Sequence, residues 1–508
     1  MPLLNSILTF VMKKRIHDIE LFMKYPHDVQ RDTFHYLLET AQKTDFGKKY
    51  DFKSIKSPKQ YSETVPVHTY EQLYPYIERR LKGEKNVLWP KDIKWFAKSS
   101  GTTNAKSKFI PVSQEALEDC HYKGGKDLIS LYVNNYPDTK MFSGKGLAIG
   151  GSHQVNELDP RQKSHYGDVS AVIMQNLPLW AQYVRTPSLE VALMNKWEEK
   201  IERMAQETKN VDVTNISGVP TWTILLIQRI NEMMGTNNIT EVWPHLEVFF
   251  HGAVSFTPYR SLFKELIPKD TMRYMEIYNA SEGFFGIQDQ VDSDEFLLML
   301  DYGIYYEFIP HEEIHKEHPM TIQLHEVELG VIYAMVITTN AGLWRYSIGD
   351  TIKFTNLDPY RIKIAGRTKH YINAFGEELV VDNADQAVCA ACEATGATID
   401  NFTAAPMYFE STKGKEGGHE WIIEFVTKPD SLDRFTRVLD EKLREINSDY
   451  DAKRYKDLAL KLPKIHSAEP GTFYEWMKKR GKLGGQNKVP RLANNRDYID
   501  DILKMMNA

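Results

Sequence analysis

The chain has 508 residues, with 63 Lys and Arg against 69 Asp and Glu and a formal net charge of −6. That length exceeds what one hydrophobic core organises, so at least two domains are expected, and 42 % hydrophobic with 26 % charged residues suits an ordinary folded protein. Dispersed basic residues exclude a dedicated nucleic-acid surface, three cysteines exclude a disulfide framework, and no apolar run approaches a membrane span; a cytoplasmic protein is expected.

The N-terminal MPLLNSILTFVMKKRIHD has no basic start and no small-residue cleavage site, and reads as an amphipathic helix rather than a signal peptide. Ile16, Ile19 and Met23 continue the helical spacing, so helix is expected over residues 4–49, ended by Asp45, Phe46 and Gly47. A charged helical segment over 65–88 leads through the apolar IKWFA into SSGTTNAKSKFIP. Residues 142–285 alternate short apolar strands with helices, the pattern of an α/β domain. KGLAIGG and LEVFFHGA read as buried strands ending in turns. PTWTILLIQRINEMMG places Trp222, Leu225, Leu226, Ile230 and Met233 on one helical face, with Gly235 just past the end.

From Phe296 the pattern turns β-rich, through EFLLMLDYGIYYEFIP and VELGVIYAMVITT to RIKIAGR, which closes at Arg367. Beyond it a helix is expected over 382–395 with Gly396 after it, then two strands flanking KGKEGG and a long helix from Ser431. Leu432, Phe435, Val438, Leu439, Leu443 and Ile446 form a stripe on that helix, which is core packing. A small α+β domain of about 140 residues is implied. No internal repeat or low-complexity segment occurs.

Four polar sites stand at the ends of apolar strands, where α/β folds build ligand clefts. SSGTTNAKSKFIP offers hydroxyls, a glycine that lets the main chain approach a ligand, and lysines; these donate to phosphate oxygens, although the same composition alone also describes a solvated loop. It lacks the GxxxxGK[ST] pattern, so γ-phosphoryl transfer is not its expected task. HGAVS is a small-residue turn with room for a flat ring. In MEIYNASEGFFG, Tyr278 has a ring to stack on a purine and Glu282 a carboxylate to hold Mg²⁺ beside phosphates. LWRYSIGD ends in a turn at Gly349 and Asp350, an aspartate suited to accept ribose hydroxyls.

Two further patterns are weaker. HEEIH, with His311, Glu312 and His315, fits the zincin spacing, and His318 follows; Pro310 and Pro319 leave barely two helical turns, so solvent-facing histidines in a connecting loop are expected. Cys389 and Cys392 form a lone CxxC in the alanine-rich QAVCAACEATG without further metal ligands, and buried small side chains are expected there.

SSGTT, YNASE, WRYSIGD and GRTKHYINAFGEEL resemble the successive core motifs of acyl-adenylate-forming enzymes. More closely, the chain resembles the Gretchen Hagen auxin-responsive family of acyl-acid amido synthetases, in its bacterial branch. The likeness runs from TDFGKKYDF through VPVHTYEQLYPYIERRLKGE to GTFYEWMKKRGKLGGQNKVPRL. It implies an α/β fold like that of luciferases and acyl-CoA synthetases. Residues 1–367 would form the large adenylation domain and 368–508 a small, mobile α+β cap. It implies ATP and Mg²⁺ as cofactors, with a small carboxylic acid and an amine, an amino acid in the resembling enzymes, as substrates. Ser99, Ser100, Thr102 and Thr103 match the phosphate-binding loop, with Lys108 close behind and Ala105 where glycine is common. Gly252 and Ala253 match the turn against adenine. Tyr278 matches the base contact, Ser281 a phosphate contact, Glu282 the Mg²⁺ ligand and Asp350 the ribose-binding aspartate. Arg367 matches the hinge arginine, followed by Lys369 where the wider superfamily has aspartate. Lys488 in QNKVPR matches the C-terminal lysine that approaches the adenylate. Val219 and Trp222 fall where the acyl pocket is expected. Within the same resemblance stand a thioester-forming ligase that uses coenzyme A and a nucleotide-binding protein without turnover.

Overall fold

The computed structural model describes residues 10, 12, 14–99, 108–161, 163–177, 182–252, 256, 259–314, 316–367, 371–372, 379–407, 418–447, 450–451, 454, 460–483, 488–493 and 495–506. The chain divides into two compact units. Met1–Val254, Leu266–Ile348 and Ile352–Lys363 make the first; Ser255–Glu265, Gly349–Thr351 and Ile364–Ala508 make the second.

The single N-terminal helix expected from periodicity is broken. Helices span Ile16–Lys24 and Pro26–Ala41, because Pro26 cannot donate a hydrogen bond backwards and instead opens a new helix from its first turn. Asp45, Phe46 and Gly47 do not end helical structure either. They form the helix Asp45–Lys49, capped by Thr44, whose hydroxyl accepts from Gly47 N at 3.0 Å. The next expected helix contracts to Tyr70–Leu81, where Gln72 Oε1 accepts the Thr69 N–H at 2.8 Å.

The first strands are β1 (Trp95–Ser99), β2 (Lys108–Val112), β3 (Lys145–Ala148), β4 (His153–Val155) and β5 (His165–Gly167). All but β3 form a small sheet in the order β2-β1-β5-β4. Next come β6 (Arg185–Thr186), β7 (Val213–Gly218), β8 (Val248–Gly252), β9 (Arg273–Ala280) and β10 (Gly283–Ile287). They are followed by β11 (Phe296–Leu298), β12 (Ile304–Pro310), β13 (Ile332–Thr339), β14 (Tyr346–Leu357) and β15 (Tyr360–Arg367). With β3 these build an 11-stranded sheet, β12-β13-β14-β15-β11-β10-β9-β8-β7-β3-β6. From β9 to β6 neighbouring strands run parallel, while β9 pairs antiparallel with β10. Pairing direction therefore changes at β9.

Helix Pro220–Met234 follows the expectation, with Pro220 in its first turn and Gly235 closing it at φ 69°. Its buried face leaves out Leu225 and takes in Ile224 and Ile227. Trp222, Leu226 and Ile230 are buried on an i, i+4 stripe, whereas Leu225 lies off that stripe and is 37 % exposed.

Just before β14, Arg345 and Glu307 form a buried ion pair, 2 % and 3 % exposed. The pairing is bidentate: Nε to Oε2 at 2.9 Å and Nη2 to Oε1 at 3.0 Å. Nη1 also donates to the carbonyls of Ser62 (2.9 Å) and Val65, and Nη2 to Thr321 Oγ1 (2.6 Å). These contacts hold Arg345 at φ 42°, a conformation L-residues rarely adopt and one that costs about 1–3 kcal/mol. Trp344, Arg345 and Tyr346 are consequently all buried.

A second buried cation sits past the end of β3. Lys200, on helix Trp197–Thr208, donates to the carbonyls of Gly150 (2.5 Å) and Gly151 (3.1 Å). Asp168 fixes the same turn by accepting from Ser152 N at 2.9 Å.

In the second unit, β16 (Tyr371–Ile372) pairs with β17 (Leu379–Val380), and helix Val381–Thr395 follows, closed by Gly396 at φ 66°. The sheet comprises β18 (Thr398–Met407), β19 (Gly418–Thr427) and β20 (Lys464–Ala468). β20 was not expected; it runs parallel to β19 along its free edge. Of the glycine loop KGKEGG only Gly418 lies among the described residues. Helix Leu432–Ile446 is capped by Ser431, and Phe435, Leu439 and Leu443 are buried against Ala387, Val388 and Trp421. Among the described residues no helix is long and apolar enough to cross a membrane.

Two stability predictions follow from the buried charges. Glu307→Ala strands the Arg345 charge and is expected to cost about 3–5 kcal/mol in denaturant unfolding; a loss below about 1 kcal/mol would contradict the pair's role. Burial pulls Lys200 down from 10.5 to about 8, so the folded chain holds that proton less tightly than the unfolded chain. The cost of burying the charge is full below pH 8 and is relieved as pH rises from about 8 towards 10.5. Unfolding free energies of wild type and Lys200→Met, compared over this range, should diverge in favour of wild type as pH rises. A pH-independent difference would rule out this assignment.

Candidate functional site

Two hairpins of the first unit bring the polar motifs together. β1 and β2 pair from Trp95↔Val112 to Ser99↔Lys108, so residues 100–107 connect the two strands and Lys108 stands at the base of that connection. β9 and β10 pair to Ala280↔Gly283, which leaves Ser281 and Glu282 as a two-residue loop at the end of β9, where pairing direction changes. Between Lys108 and Glu282 stands the Tyr346 hydroxyl. It accepts from Lys108 Nζ at 3.4 Å and donates to Glu282 Oε1 at 3.4 Å. Lys108 Nζ also lies 5.5 Å from the Tyr70 ring centroid, and Tyr70 Oη accepts from Phe109 N at 2.8 Å. Burial pushes the Tyr70 phenol up, so it stays neutral.

The backbone around Tyr346 is pinned from the other side by His68. His68 N donates to Arg345 O at 2.8 Å, and Ser347 N donates to His68 O at 3.0 Å. His68 Nδ1 lies 2.9 Å from Trp344 O. Burial lowers its pKa to about 4, so the ring is neutral near pH 7 and Nδ1–H is the donor in that bond.

The remaining expected site residues are placed as follows. Ser99 ends β1 at the pair with Lys108; Ser100, Thr102, Thr103 and Ala105 lie outside the described residues. Gly252 ends β8, and a Cβ there would come within 2.6 Å of Ile277 O, so close approach of β9 already requires a glycine; Ala253 lies outside the described residues. Tyr278 is 5 % exposed, and its ring centroid lies 5.1 Å from that of Phe285 and 6.3 Å from that of Phe296. Ser281 and Asp350 are buried. The turn expected at Gly349 and Asp350 is instead a left-handed residue, Gly349 at φ 85°, inside the continuous strand β14. Arg367 ends β15, and Lys369 lies outside the described residues. Val219 precedes helix Pro220–Met234 and its carbonyl accepts from Thr223 Oγ1 at 3.0 Å; Trp222 is buried in the first turn of that helix.

In the second unit, Lys488 is exposed on a segment laid along β18. Ala404 N donates to Arg491 O (2.9 Å), Ala493 N to Ala404 O (3.1 Å) and Thr403 Oγ1 to Pro490 O (2.6 Å). The Arg491 guanidinium lies 4.4 Å from the Phe402 ring centroid and donates to Tyr259 Oη at 2.9 Å.

The donor chemistry suits Mg²⁺ held mainly by a substrate. No group of three His, Cys, Asp or Glu side chains that would hold a metal occurs among the described residues. Glu282 offers one carboxylate, and Mg²⁺ in phosphate sites commonly takes one or two carboxylates and fills the rest of its shell with phosphate and water. The zincin-like pattern dissolves: His311–Glu313 is a single 3₁₀ turn, Glu313 pairs with Lys316, Glu312 and His318 are exposed, and His315 lies outside the described residues. Cys389 and Cys392 are partly buried on one helix, and burial pushes them up to about 11 and about 12, as expected of inert thiols.

Sequence reasoning passed over Tyr346, although it stands in the quoted WRYSIGD. It also passed over Lys200, which the sequence presents as one more lysine of the charged segment KWEEKIERM.

Comparison with known proteins matches most of the chain. The GH3 family N-terminal domain matches residues 15–272, the GH3 family central domain 297–367 and the GH3 family C-terminal domain 382–497. Indole-3-acetic acid-amido synthetase GH3.3 of Arabidopsis thaliana is 23 % identical, with 97 % of this chain and 93 % of that protein covered. The solved GH3.15 acyl acid amido synthetase superposes with a TM-score of 0.78 at 17 % identity, covering 97 % of this chain and 96 % of that one. The same fold extends to 2-hydroxyisobutyryl-CoA ligase in its postadenylation state, at a TM-score of 0.60 and 11 % identity over 94 % and 91 % of the two chains. With three successive domains matched in order along most of its length, the chain belongs to the GH3 family.

Proposed function

We propose that this protein is an ATP-dependent acyl-acid amido synthetase. The observation that carries the reading is the meeting of Lys108 and Glu282 on the Tyr346 hydroxyl, beside the connection that carries SSGTT. A carboxylate resists attack by an amine, because its charge repels nucleophiles and oxide is a poor leaving group. In the first half-reaction an oxygen of the acid attacks the α-phosphorus of ATP, the bond to the bridging oxygen breaks, and pyrophosphate departs. In the second, the amine nitrogen attacks the acyl carbon, the carbon–oxygen bond to AMP breaks, and the nitrogen gives up a proton as the amide forms.

Ser99, Ser100, Thr102 and Thr103 donate to phosphate oxygens in this reading, Lys108 offsets their charge and Ser281 adds a further donor. Mg²⁺, held by Glu282, neutralises charge on the phosphates when bound. Gly252, Ala253 and Tyr278 border the base, and Asp350 accepts the ribose hydroxyls. Val219 and Trp222, after the end of β7, border the acyl group. Residues 1–367 act as the adenylation domain and 368–508 as a mobile cap, with Arg367 at the hinge and Lys488 approaching the acyl phosphate. The interval between family matches that end at 367 and resume at 382 supports that division. A cytoplasmic setting, supported by three free cysteines, and membership of the bacterial branch of the family complete this reading.

Pyrophosphate release from Mg-ATP with a panel of carboxylic acids tests the first step, and the product mass after adding amino acids or coenzyme A identifies the acceptor. Release is expected with at least one acid, followed by an amide product. A thioester alone, or ATP binding without release, would overturn the reading. Glu282→Ala should lower pyrophosphate release at least about 100-fold with the melting temperature kept. Near-normal release in that variant would refute the metal role.

A further inference from the structure

We propose that a cavity at the N-terminal ends of the parallel strands binds a small oxyanion, a phosphate or a carboxylate, at a place separate from the adenylation motifs and independent of that reading. The cavity, about 210 Å³ in volume, lies just before β3, β8 and β9 begin, and Lys140, Lys269, Arg273, Glu247, Asp138 and Thr271 line it. That volume far exceeds the about 10–15 Å³ that admits one water. β8 runs five residues to Gly252 and β9 eight residues to Ala280, so the strands set the cavity roughly 17–26 Å from the tips that carry the polar motifs.

Two of the cations are fastened from behind and retain unused donors. Arg273 Nη1 donates to Tyr132 Oη and to Glu247 Oε1, each at 2.9 Å, and the guanidinium lies 3.9 Å from the Tyr136 ring centroid. Among the described residues Nε and Nη2 have no hydrogen-bond partner, which leaves one edge of the planar fork uncommitted. Lys269 Nζ donates to the carbonyls of Pro244 (3.0 Å) and Leu246 (2.7 Å) and keeps a third N–H. Cations already ordered in this way bind an anion without giving up the rotamer freedom of a loose side chain. Lys140 adds an exposed ammonium with no ion-pair partner among the described residues.

The two carboxylates in the wall are not equivalent. Glu247 is enclosed by Arg273, by the Tyr132 hydroxyl at 2.5 Å, by the Thr139 hydroxyl and by the Lys140 backbone N–H at 2.9 Å. Asp138 is exposed and has no such enclosure. His245 also lines the cavity, but its Nδ1 lies 2.9 Å from Asp212 Oδ1, so any charge it carries is matched outside the wall. Three cations against two carboxylates leave one positive charge in excess, and the uncommitted N–H groups lack acceptors. An oxyanion supplies both the charge and the acceptors through charge-assisted hydrogen bonds.

The test is calorimetric titration of the full chain with inorganic phosphate and, separately, with citrate, together with the melting temperature at millimolar concentrations of each. Binding of at least one anion is expected, with a raised melting temperature and an affinity that falls as sodium chloride is added. Lys140→Gln should weaken binding about 5-fold and Arg273→Gln about 10-fold, while Asp138→Asn, which removes a repelling carboxylate, should tighten it about 3-fold. Lys140 and Asp138 are exposed, so their variants keep the fold even where Arg273→Gln does not. Lys108→Gln, beside the SSGTT motif, should leave the affinity unchanged. Binding of neither anion, wild-type affinity in both Lys140→Gln and Asp138→Asn, or lost binding in Lys108→Gln would overturn the proposal. With the expected variant pattern, phosphate bound without citrate identifies a phosphoryl ligand, and citrate bound without phosphate a carboxylate one.

Discussion

The buried ion pair of Arg345 and Glu307 is the constraint on which the rest of the first unit turns. Taking both charges out of water costs several kcal/mol per ion, roughly what their attraction returns when the geometry is good. The pair therefore adds little net stability over a well-packed apolar pair, and its value lies in specifying one arrangement. The guanidinium gathers the carbonyls of Ser62 and Val65, the Thr321 hydroxyl and β12 around one point, and Thr338 Oγ1 of β13 accepts the Arg345 N–H at 3.1 Å. An apolar substitute could fill that volume but could not dictate which carbonyls face it. The strained backbone at Arg345 follows, and with it the burial of three consecutive side chains where a regular strand would alternate them.

The large sheet supplies the complementary half of the site. Its parallel strands β3, β7 and β8 end on the same side, and at β9 the pairing direction changes so that the chain returns through a two-residue loop carrying Glu282. A parallel strand must leave through a long crossover, whereas an antiparallel return keeps a polar residue close to the strand that delivered it. The buried ammonium of Lys200 belongs to the same logic. It closes the Gly150–Gly151 turn past β3 by satisfying carbonyls that would otherwise face a helix without donors.

What could be read from the sequence follows from which physics is local. Helices Pro220–Met234 and Leu432–Ile446 were legible because their proline or serine start and their apolar period are contained in one segment. The break at Pro26 was legible in principle from the proline itself, but the surrounding periodicity masked it. β20 was not legible, since it is short and finds its place only through the edge of β19. Glu282 and Lys108 stood out because a motif surrounds each. Tyr346 stood in a motif as well, but its meaning depends on two residues 64 and 238 positions away. Arg345, in the same motif, was not legible either, because its role is set by Thr338, Glu307, Ser62, Val65 and Thr321, which the fold brings to it.

The second unit presents its lysine by a different device. The segment after Lys488 is held along β18 by backbone hydrogen bonds on both sides of Ala404 and by Arg491 over Phe402, while Val489 is buried in the apolar cluster that includes Trp476. Lys488 thus stands exposed beside a segment whose backbone is well fixed. The Tyr346 hydroxyl is buried between Lys108 and Glu282. Lys488 instead stands exposed at the start of a segment whose backbone is held along β18. The contrast is one of access: the Tyr346 hydroxyl is fixed inside the first unit, whereas the Lys488 side chain stands at the surface of the second.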